Sequence, residues 1–133
     1  MDYKLCDGEY RLMEIVWELE PVTSTQLYKE CLPRLGWKKS TTYTMLRKLC
    51  ERGLLQNTDS IVTSRVKKEE ILSYDSRELV GKRFSRSLPR FVAAFLDGCS
   101  LSEQEAEELK RLIDQSREKQ TGLSDGSKRE EGR

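Results

Sequence analysis

Residues 39–66 read KSTTYTMLRKLCERGLLQNTDSIVTSRV, a helical pattern followed directly by a hairpin pattern. From Lys39 to Arg52, apolar residues recur at the three- and four-residue spacing of an amphipathic helix. Gly53 then stands where a left-handed C-terminal cap is expected. The segment is therefore predicted to form a helix with one core-facing stripe. That stripe consists of Thr42, Met45, Leu46, Leu49 and Cys50.

A small β-hairpin is predicted directly after this helix. Residues 54–58 and 61–66 form two short runs with β-branched side chains, and Asp59-Ser60 lies between them as the turn. The hairpin is short, so it adds only a small sheet to a mainly helical chain.

Two further helical patterns precede this stretch. Residues 10–19 have apolar side chains at helical spacing, and Asp7 is positioned to cap their first turn. Ser24 or Thr25 can cap the second helix, which ends near Gly36. The second helix is predicted to direct Leu27, Tyr28, Cys31 and Leu32 toward the core. Three helices and a hairpin are the elements of a winged helix-turn-helix, predicted to be a DNA-binding domain over residues 1–67.

Helical patterns resume after the hairpin. Ser102 and Glu105 form a capping box before a last helix that is predicted to end near Ser116. Residues 68–119 are therefore predicted to be a helical domain, and residues 120–133, which have little apolar content, a disordered tail. The fold class is mainly α, with an N-terminal winged helix-turn-helix and a C-terminal helical dimerisation domain.

The dimerisation role rests on a surplus of apolar residues in the C-terminal helices. A small winged domain with its own core cannot cover them all. Packing within one chain is one alternative, and burial against a second copy is the other, which we favour because operator-binding proteins usually pair through such segments. The predicted dimer residues are Leu79, Phe84, Leu88, Phe91, Val92, Phe95, Leu96, Leu109 and Leu112.

Positive charge is concentrated around the third helix. The chain carries 24 Lys and Arg against 23 Asp and Glu, a net charge of +1, yet residues 34–52 contain six Lys and Arg against Glu51 alone. A solvated charged face is one interpretation, and DNA binding is favoured because hydroxyls accompany the cations. Arg47 is the predicted base reader in the major groove. The predicted DNA-contacting residues are Lys38, Lys39, Ser40, Thr41, Tyr43, Thr44, Arg47 and Lys48.

Catalysis is improbable for this composition. The 133 residues include no histidine, which excludes Ser-His-Asp triads, His-ligated zinc and imidazole general bases. No phosphate-binding glycine loop or metal-ligand cluster is present, so we expect no cofactor, no metal and no small-molecule substrate. The four cysteines form no C-x-x-C pair and are predicted to be buried apolar residues of a soluble, cytoplasmic protein.

Four runs stand in an order and spacing typical of one family: EYRLMEIVWE at 9–18, TTYTMLRKLCERGLL at 41–55, SLPRFVAAFLDG at 87–98 and LSEQEAEELKRLID at 101–114. Over residues 7–115 the chain thereby resembles the BlaI/MecI penicillinase-repressor family, to which the copper-responsive CopY repressors also belong. The resemblance implies a homodimeric winged-helix repressor that occupies a palindromic operator and joins its protomers through the C-terminal helices.

In antibiotic-responsive members of this family, a membrane-bound sensor metalloprotease triggers cleavage within the dimerisation region. The resemblance places the matching bond at Ala94-Phe95, where the family has Asn before Phe. Lys38-Lys39 replaces the usual Ser-Pro opening of the recognition helix, and the hairpin is shorter than the family's. The cysteine-rich metal motif of CopY is absent, so copper sensing is disfavoured.

The sequence thus predicts a repressor of a β-lactam-type resistance operon or a related stress operon. The alternative function is a helical protein-interaction adaptor that has lost operator binding, and the short hairpin is its main support.

Overall fold

The computed structural model describes the backbone of residues 2–127 and the side chains of residues 2–119. The chain divides into two compact units, and the boundary along the sequence lies between Arg86 and Ser87. The first unit contains α1 (Asp7–Leu19), β1 (Val22–Thr23), α2 (Ser24–Leu35), α3 (Lys39–Glu51), β2 (Leu55–Thr58), β3 (Ile61–Ser64) and α4 (Lys68–Arg83). The second unit contains α5 (Leu88–Leu96) and α6 (Glu103–Ser127). The predicted mainly α fold class is confirmed.

The first unit is built around one apolar core. Each of its first three helices directs a stripe of side chains inward, because apolar residues recur at helical period in all three. The hairpin contributes Leu55 and Val62, and the segment after it contributes Val66. The fully buried side chains from α1 to α3 are Leu12, Met13, Val16, Leu27, Cys31, Thr42, Leu46 and Leu49.

The sheet has three antiparallel strands in the order β1-β3-β2. The turn residues Asp59 and Ser60 have φ values of 52° and 66°, the geometry of a type I′ turn, which matches the twist of a two-residue hairpin. Val22 of β1 pairs with Val62 of β3. The predicted hairpin is thus joined by a third strand, β1.

Two helix starts differ from the predicted caps. Cys6, not Asp7, is the N-cap of α1, where the Glu9 carboxylate accepts a hydrogen bond of 2.9 Å from the backbone N–H of Cys6. Thr23, not Ser24 or Thr25, caps α2, and its Oγ1 accepts the N–H of Gln26 at 3.0 Å. In both cases the N-cap precedes the residue chosen from sequence, by one position for Asp7 and Ser24 and by two for Thr25. The predicted end of α2 at Gly36, with φ 72°, is confirmed.

Helix α4 belongs to the first unit, so the structural division falls after Arg86 and not after residue 67. The reason is local packing: Ile71 is fully buried in the core, and the ring of Tyr74 meets that of Tyr3 edge-on at 5.9 Å. A boundary placed at the end of the hairpin therefore separates α4 from residues that it packs against.

Both helices of the second unit have side-chain N-caps. Ser87 Oγ accepts the N–H of Arg90 at 3.2 Å at the start of α5. The predicted capping box of α6 is confirmed, since Ser102 Oγ accepts the N–H of Glu105 at 3.0 Å. Helix α6 extends to Ser127 rather than ending near Ser116. The remainder of the predicted disordered tail, 128–133, lies outside the described residues.

Candidate nucleic-acid interface

Helix α3 presents a polar face opposite its buried stripe. Thr42, Leu46 and Leu49 are buried, and Met45 packs against the core from a partly buried position. All eight residues predicted to contact DNA are exposed on or directly before this helix: Lys38, Lys39, Ser40, Thr41, Tyr43, Thr44, Arg47 and Lys48. The periodicity of α3 therefore separates a packing face from a solvent face carrying cations, hydroxyls and one phenol.

Two lysines, Lys38 and Lys39, stand at the N-terminus of α3. Its N-cap is Lys38, whose side chain makes no capping hydrogen bond. A lysine at this end of a helix gains nothing from the macrodipole, which favours negative charge there. Lys38 and Lys39 therefore do not stabilise the helix terminus. Both side chains, and the first backbone N–H groups of α3, are positioned to bind a phosphate group.

Ion pairs engage three of the six cations near α3, among them Lys48, whose Nζ lies 3.9 Å from the Glu9 carboxylate. Arg34 lies 3.0 Å from the Glu18 carboxylate and 3.1 Å from that of Glu30. Arg52 lies 3.2 Å from Glu9. Within residues 2–119, no ion pair involves Lys38, Lys39 or Arg47. The positive charge outside ion pairs therefore lies at the start of α3, on Lys38 and Lys39, and on Arg47 in its second half.

A row of aromatic and cationic side chains crosses from α2 to α3. The Nζ atom of Lys39 lies 5.5 Å from the ring centre of Tyr28. The Tyr28 ring meets the Tyr43 ring nearly edge-on at 6.1 Å, and the guanidinium of Arg47 lies 5.3 Å from the Tyr43 ring centre. Tyr28 was predicted to point into the core, but it is only partly buried and belongs to this row.

Three features of the Tyr28 environment act on the pKa of its phenol, two upward and one downward. Burial, and then the neighbouring Tyr43, raise the pKa of the Tyr28 phenol, while a hydrogen bond with Ser24 lowers it. The net shift is upward, so this phenol stays protonated and can serve as a hydrogen-bond donor at physiological pH.

Glu9 anchors the other end of α3, and sequence reasoning assigned it no role. Its side chain is nearly buried and accepts hydrogen bonds from the Cys6 N–H and from Arg52. Arg52 also donates to the carbonyl oxygen of Lys4 at 2.7 Å and to that of Asp2 at 3.1 Å. Burial alone would raise the pKa of Glu9, but the hydrogen bonds from Cys6 and the charges of Arg52 and Lys48 lower it overall. The capping-box position of Glu9 was the signal that could have revealed it.

The hairpin is tied back to the body of the first unit. The backbone N–H of Ser24 donates to the carbonyl of Ser60 at 2.9 Å. The N–H and hydroxyl of Ser64 both donate to the Glu20 carboxylate, at 2.7 and 2.9 Å. Residues 55–64 contain no Lys or Arg and have Asp59 at the tip. Of these two regions, the α3 face therefore carries positive charge and strands β2 and β3 do not.

The predicted dimer residues divide by exposure and by unit. Leu79 and Phe84 lie in or at the end of α4, where Leu79 is exposed and Phe84 partly buried. In α5, Phe95 is 61% exposed, although its ring lies 6.3 Å from that of Phe91. The other exposed members are Leu88, Val92, Leu109 and Leu112, and the other partly buried ones are Phe91 and Leu96. Ala94 and Phe95, the proposed cleavage pair, are both exposed within α5.

The four cysteines also differ in burial. Cys31 is buried and Cys50 partly buried, which fits the prediction, whereas Cys6 and Cys99 are exposed. The prediction was wrong for these two because Cys6 caps a helix and Cys99 follows the end of one. Among the described side chains, no group of three or more acidic or sulfur ligands is placed to hold a metal ion. The described helices include none with the length and apolar content of a membrane span.

Comparison with known proteins relates this arrangement to a family of regulators. A penicillinase repressor from Bacillus licheniformis is 22% identical over 116 residues, covering 84% of this chain and 91% of that protein. The methicillin resistance regulatory protein MecI from Staphylococcus aureus strain N315 is 22% identical over 115 residues, covering 84% and 94%. A family model described as penicillinase repressor matches residues 5–115. Since this match extends from the first unit through α5 and into α6, it confirms the resemblance, and the chain belongs to the penicillinase repressor family.

Proposed function

We propose that the chain is a homodimeric transcriptional repressor that binds a palindromic operator in double-stranded DNA. The observation that carries the proposal is the α3 face, on which unpaired cations and hydroxyls lie opposite a fully buried stripe. The family relatives are named for repression of penicillinase and regulation of methicillin resistance. These names support the proposal that the chain regulates a resistance operon or a related stress operon.

In this proposal α3 lies in the major groove. Arg47 projects from the middle of the helix and reads a guanine through two hydrogen bonds, while Thr41, Tyr43 and Thr44 contact neighbouring base edges or sugars. Lys38, Lys39, Ser40 and Lys48 contact phosphates and set the register of the helix on the duplex. The proposal requires no catalysis, metal or small-molecule substrate.

Dimerisation is proposed to occur through the apolar face of the C-terminal helices. Phe95, Leu109 and Leu112 expose large apolar surfaces that a monomer would leave in water. A two-fold pair buries the same face of both copies and presents two α3 helices to two half-sites. Linking two half-site contacts strengthens binding by about 10² to 10⁴ without any new contact.

Release is proposed to follow cleavage between Ala94 and Phe95 by a membrane-bound sensor metalloprotease. The bond lies inside α5, a nine-residue helix without a side chain buried within its own chain, so only the proposed dimer contacts oppose the local unfolding that a protease needs. Cleavage would separate Phe95 and α6 from the DNA-binding unit. Mass spectrometry of induced cells should then detect an N-terminal fragment ending at Ala94, and intact protein during full derepression would contradict this step.

A mobility shift on DNA tests the central proposal. Palindromic fragments selected by the protein from a random library should bind with an affinity that falls steeply as salt rises, because each phosphate contact releases counterions. The matched control is a chain with Lys38, Lys39 and Arg47 changed to Gln, which keeps the buried stripe of α3. Equal migration of DNA with both proteins would overturn the proposal.

The tied-back hairpin supports a second function, a helical interaction adaptor without operator binding. Its acidic tip and lack of cations remove the contacts that a wing usually makes with the DNA backbone. An adaptor would show neither the mobility shift nor its salt dependence, so the same experiment separates the two functions.

A further inference from the structure

We propose that Tyr28, which lies on α2 outside the recognition helix, is a positioning residue for sequence readout. The row Lys39–Tyr28–Tyr43–Arg47 holds two DNA-facing cations in place through aromatic rings. This inference rests on the proposed function, since it assigns a role within the same DNA-binding face.

The geometry of the row makes Tyr28 its central member. Tyr28 contacts Lys39 through a cation–π arrangement at 5.5 Å and Tyr43 through an edge-on ring contact at 6.1 Å. Tyr43 in turn lies beneath the Arg47 guanidinium at 5.3 Å. Removing the Tyr28 ring therefore withdraws one partner from Lys39 directly and one support from the ring on which Arg47 lies.

An aromatic partner differs from a carboxylate in what it does to the charge. The carboxylates of Glu18 and Glu9 neutralise Arg34 and Arg52, which then offer little attraction to DNA. A ring restrains a cation without cancelling its charge, because the attraction comes from the ring quadrupole. The cations of the row are thus oriented while they remain available to a phosphate or a base edge.

Restraint before binding matters most for the base reader. A free arginine side chain loses rotamer entropy when it is fixed, and a bidentate contact to guanine needs the guanidinium plane in one orientation. A ring beneath Arg47 supplies part of that restraint in advance. The expected result is discrimination between base pairs rather than general affinity for DNA.

The test compares Tyr28→Leu with Tyr28→Phe in the full-length protein. The two probes are a palindromic fragment selected by the wild-type protein from a random library and a shuffled fragment of the same composition. Fluorescence anisotropy at one salt concentration gives the ratio of the two affinities. Tyr28→Leu should lower this ratio about 2- to 5-fold, the range of one exposed cation–π contact, with less than a 2-fold change on the shuffled fragment. Tyr28→Phe, which keeps the ring, should retain the wild-type ratio.

A double-mutant cycle tests whether Tyr28 acts through Arg47. In an Arg47→Ala background, Tyr28→Leu should no longer change the ratio, because the group that it positions is gone. An unchanged ratio for Tyr28→Leu in the wild-type background, or equal losses on both fragments, would overturn the positioning role while leaving DNA binding intact. Failure of the wild-type protein to bind any selected fragment would instead overturn the proposed function, and the inference with it.

Discussion

The two units of the chain use their apolar residues in opposite ways. The first unit buries its stripes in a core containing residues from α1, α2, α3, the hairpin and α4. Among the described side chains of the second unit, residues 87–119, none is buried, although α5 and α6 both carry apolar stripes. The first unit therefore contains the partners that its folding requires, while the second leaves Phe95 and Leu112 more than half exposed to water. An apolar stripe by itself does not reveal whether its partner lies in the same chain.

The largest expected effect comes from a charge placed in the second unit. Phe95→Asp should convert a micromolar dimer into a monomer, because an uncompensated carboxylate would be buried at the interface. Operator affinity should fall about 10²- to 10⁴-fold through loss of the second half-site. Sedimentation equilibrium and anisotropy measure the two effects. Gln115→Asp, on an exposed polar position of α6, is the control, and a Phe95→Asp protein that stays dimeric would contradict the contrast between the units.

A core truncation in the first unit should act on folding and not on assembly. Leu46 is almost fully buried, so Leu46→Ala should lower the free energy of unfolding by about 2–5 kcal/mol. The same change at the exposed Leu109, made in the monomeric Phe95→Asp background, should cost about 0.5 kcal/mol or less. Urea denaturation followed by circular dichroism compares them. Similar losses at both sites would mean that α6 has a core within its own chain.

A substitution on the α3 face should change sequence preference and leave the dimer unchanged. Arg47→Ala is expected to cost about 1–3 kcal/mol at one operator position, while Lys48→Ala should weaken binding to all sequences alike. The measurement is the affinity of each variant protein for a set of operators that differ by single bases. A uniform loss across that set for Arg47→Ala would reassign Arg47 to phosphate contact.

The smallest expected effect is a pH dependence confined to the first unit. The folded-state pKa of Glu9 lies below its ordinary value, so its charged form stabilises the fold. That contribution is complete above the ordinary glutamate pKa of about 4.3 and is lost as pH falls through the lowered folded value. Glu9→Gln should flatten the acid side of the curve of unfolding free energy against pH. Glu14→Gln, at an exposed position of the same helix, should leave the curve unchanged.

The sequence was sufficient to predict the helices, the hairpin and the two faces of α3, because these depend on periodicity and turn chemistry within short segments. It was insufficient for contacts between distant segments. The ion pair of Glu9 with Arg52 joins residues 43 positions apart, and the pairing of Val22 with Val62 depends on how α1 and α2 pack. Such contacts leave no periodic signal, so the pairing of Arg34 and the outward turn of Tyr28 were also missed.

In the proposed repressor, a hairpin held by hydrogen bonds to Ser24 and Glu20 would leave each protomer to read base pairs through α3 alone. A protomer with a single groove-reading element samples few base pairs, and each mismatch costs only about 1–3 kcal/mol against about 10⁶ to 10⁹ competing genomic sites. Chance matches to one half-site are then frequent along a chromosome. In the proposed dimer, selectivity would come from the separation and relative orientation of two half-sites, so inserting a few base pairs between them should weaken repression as much as mutating one half-site.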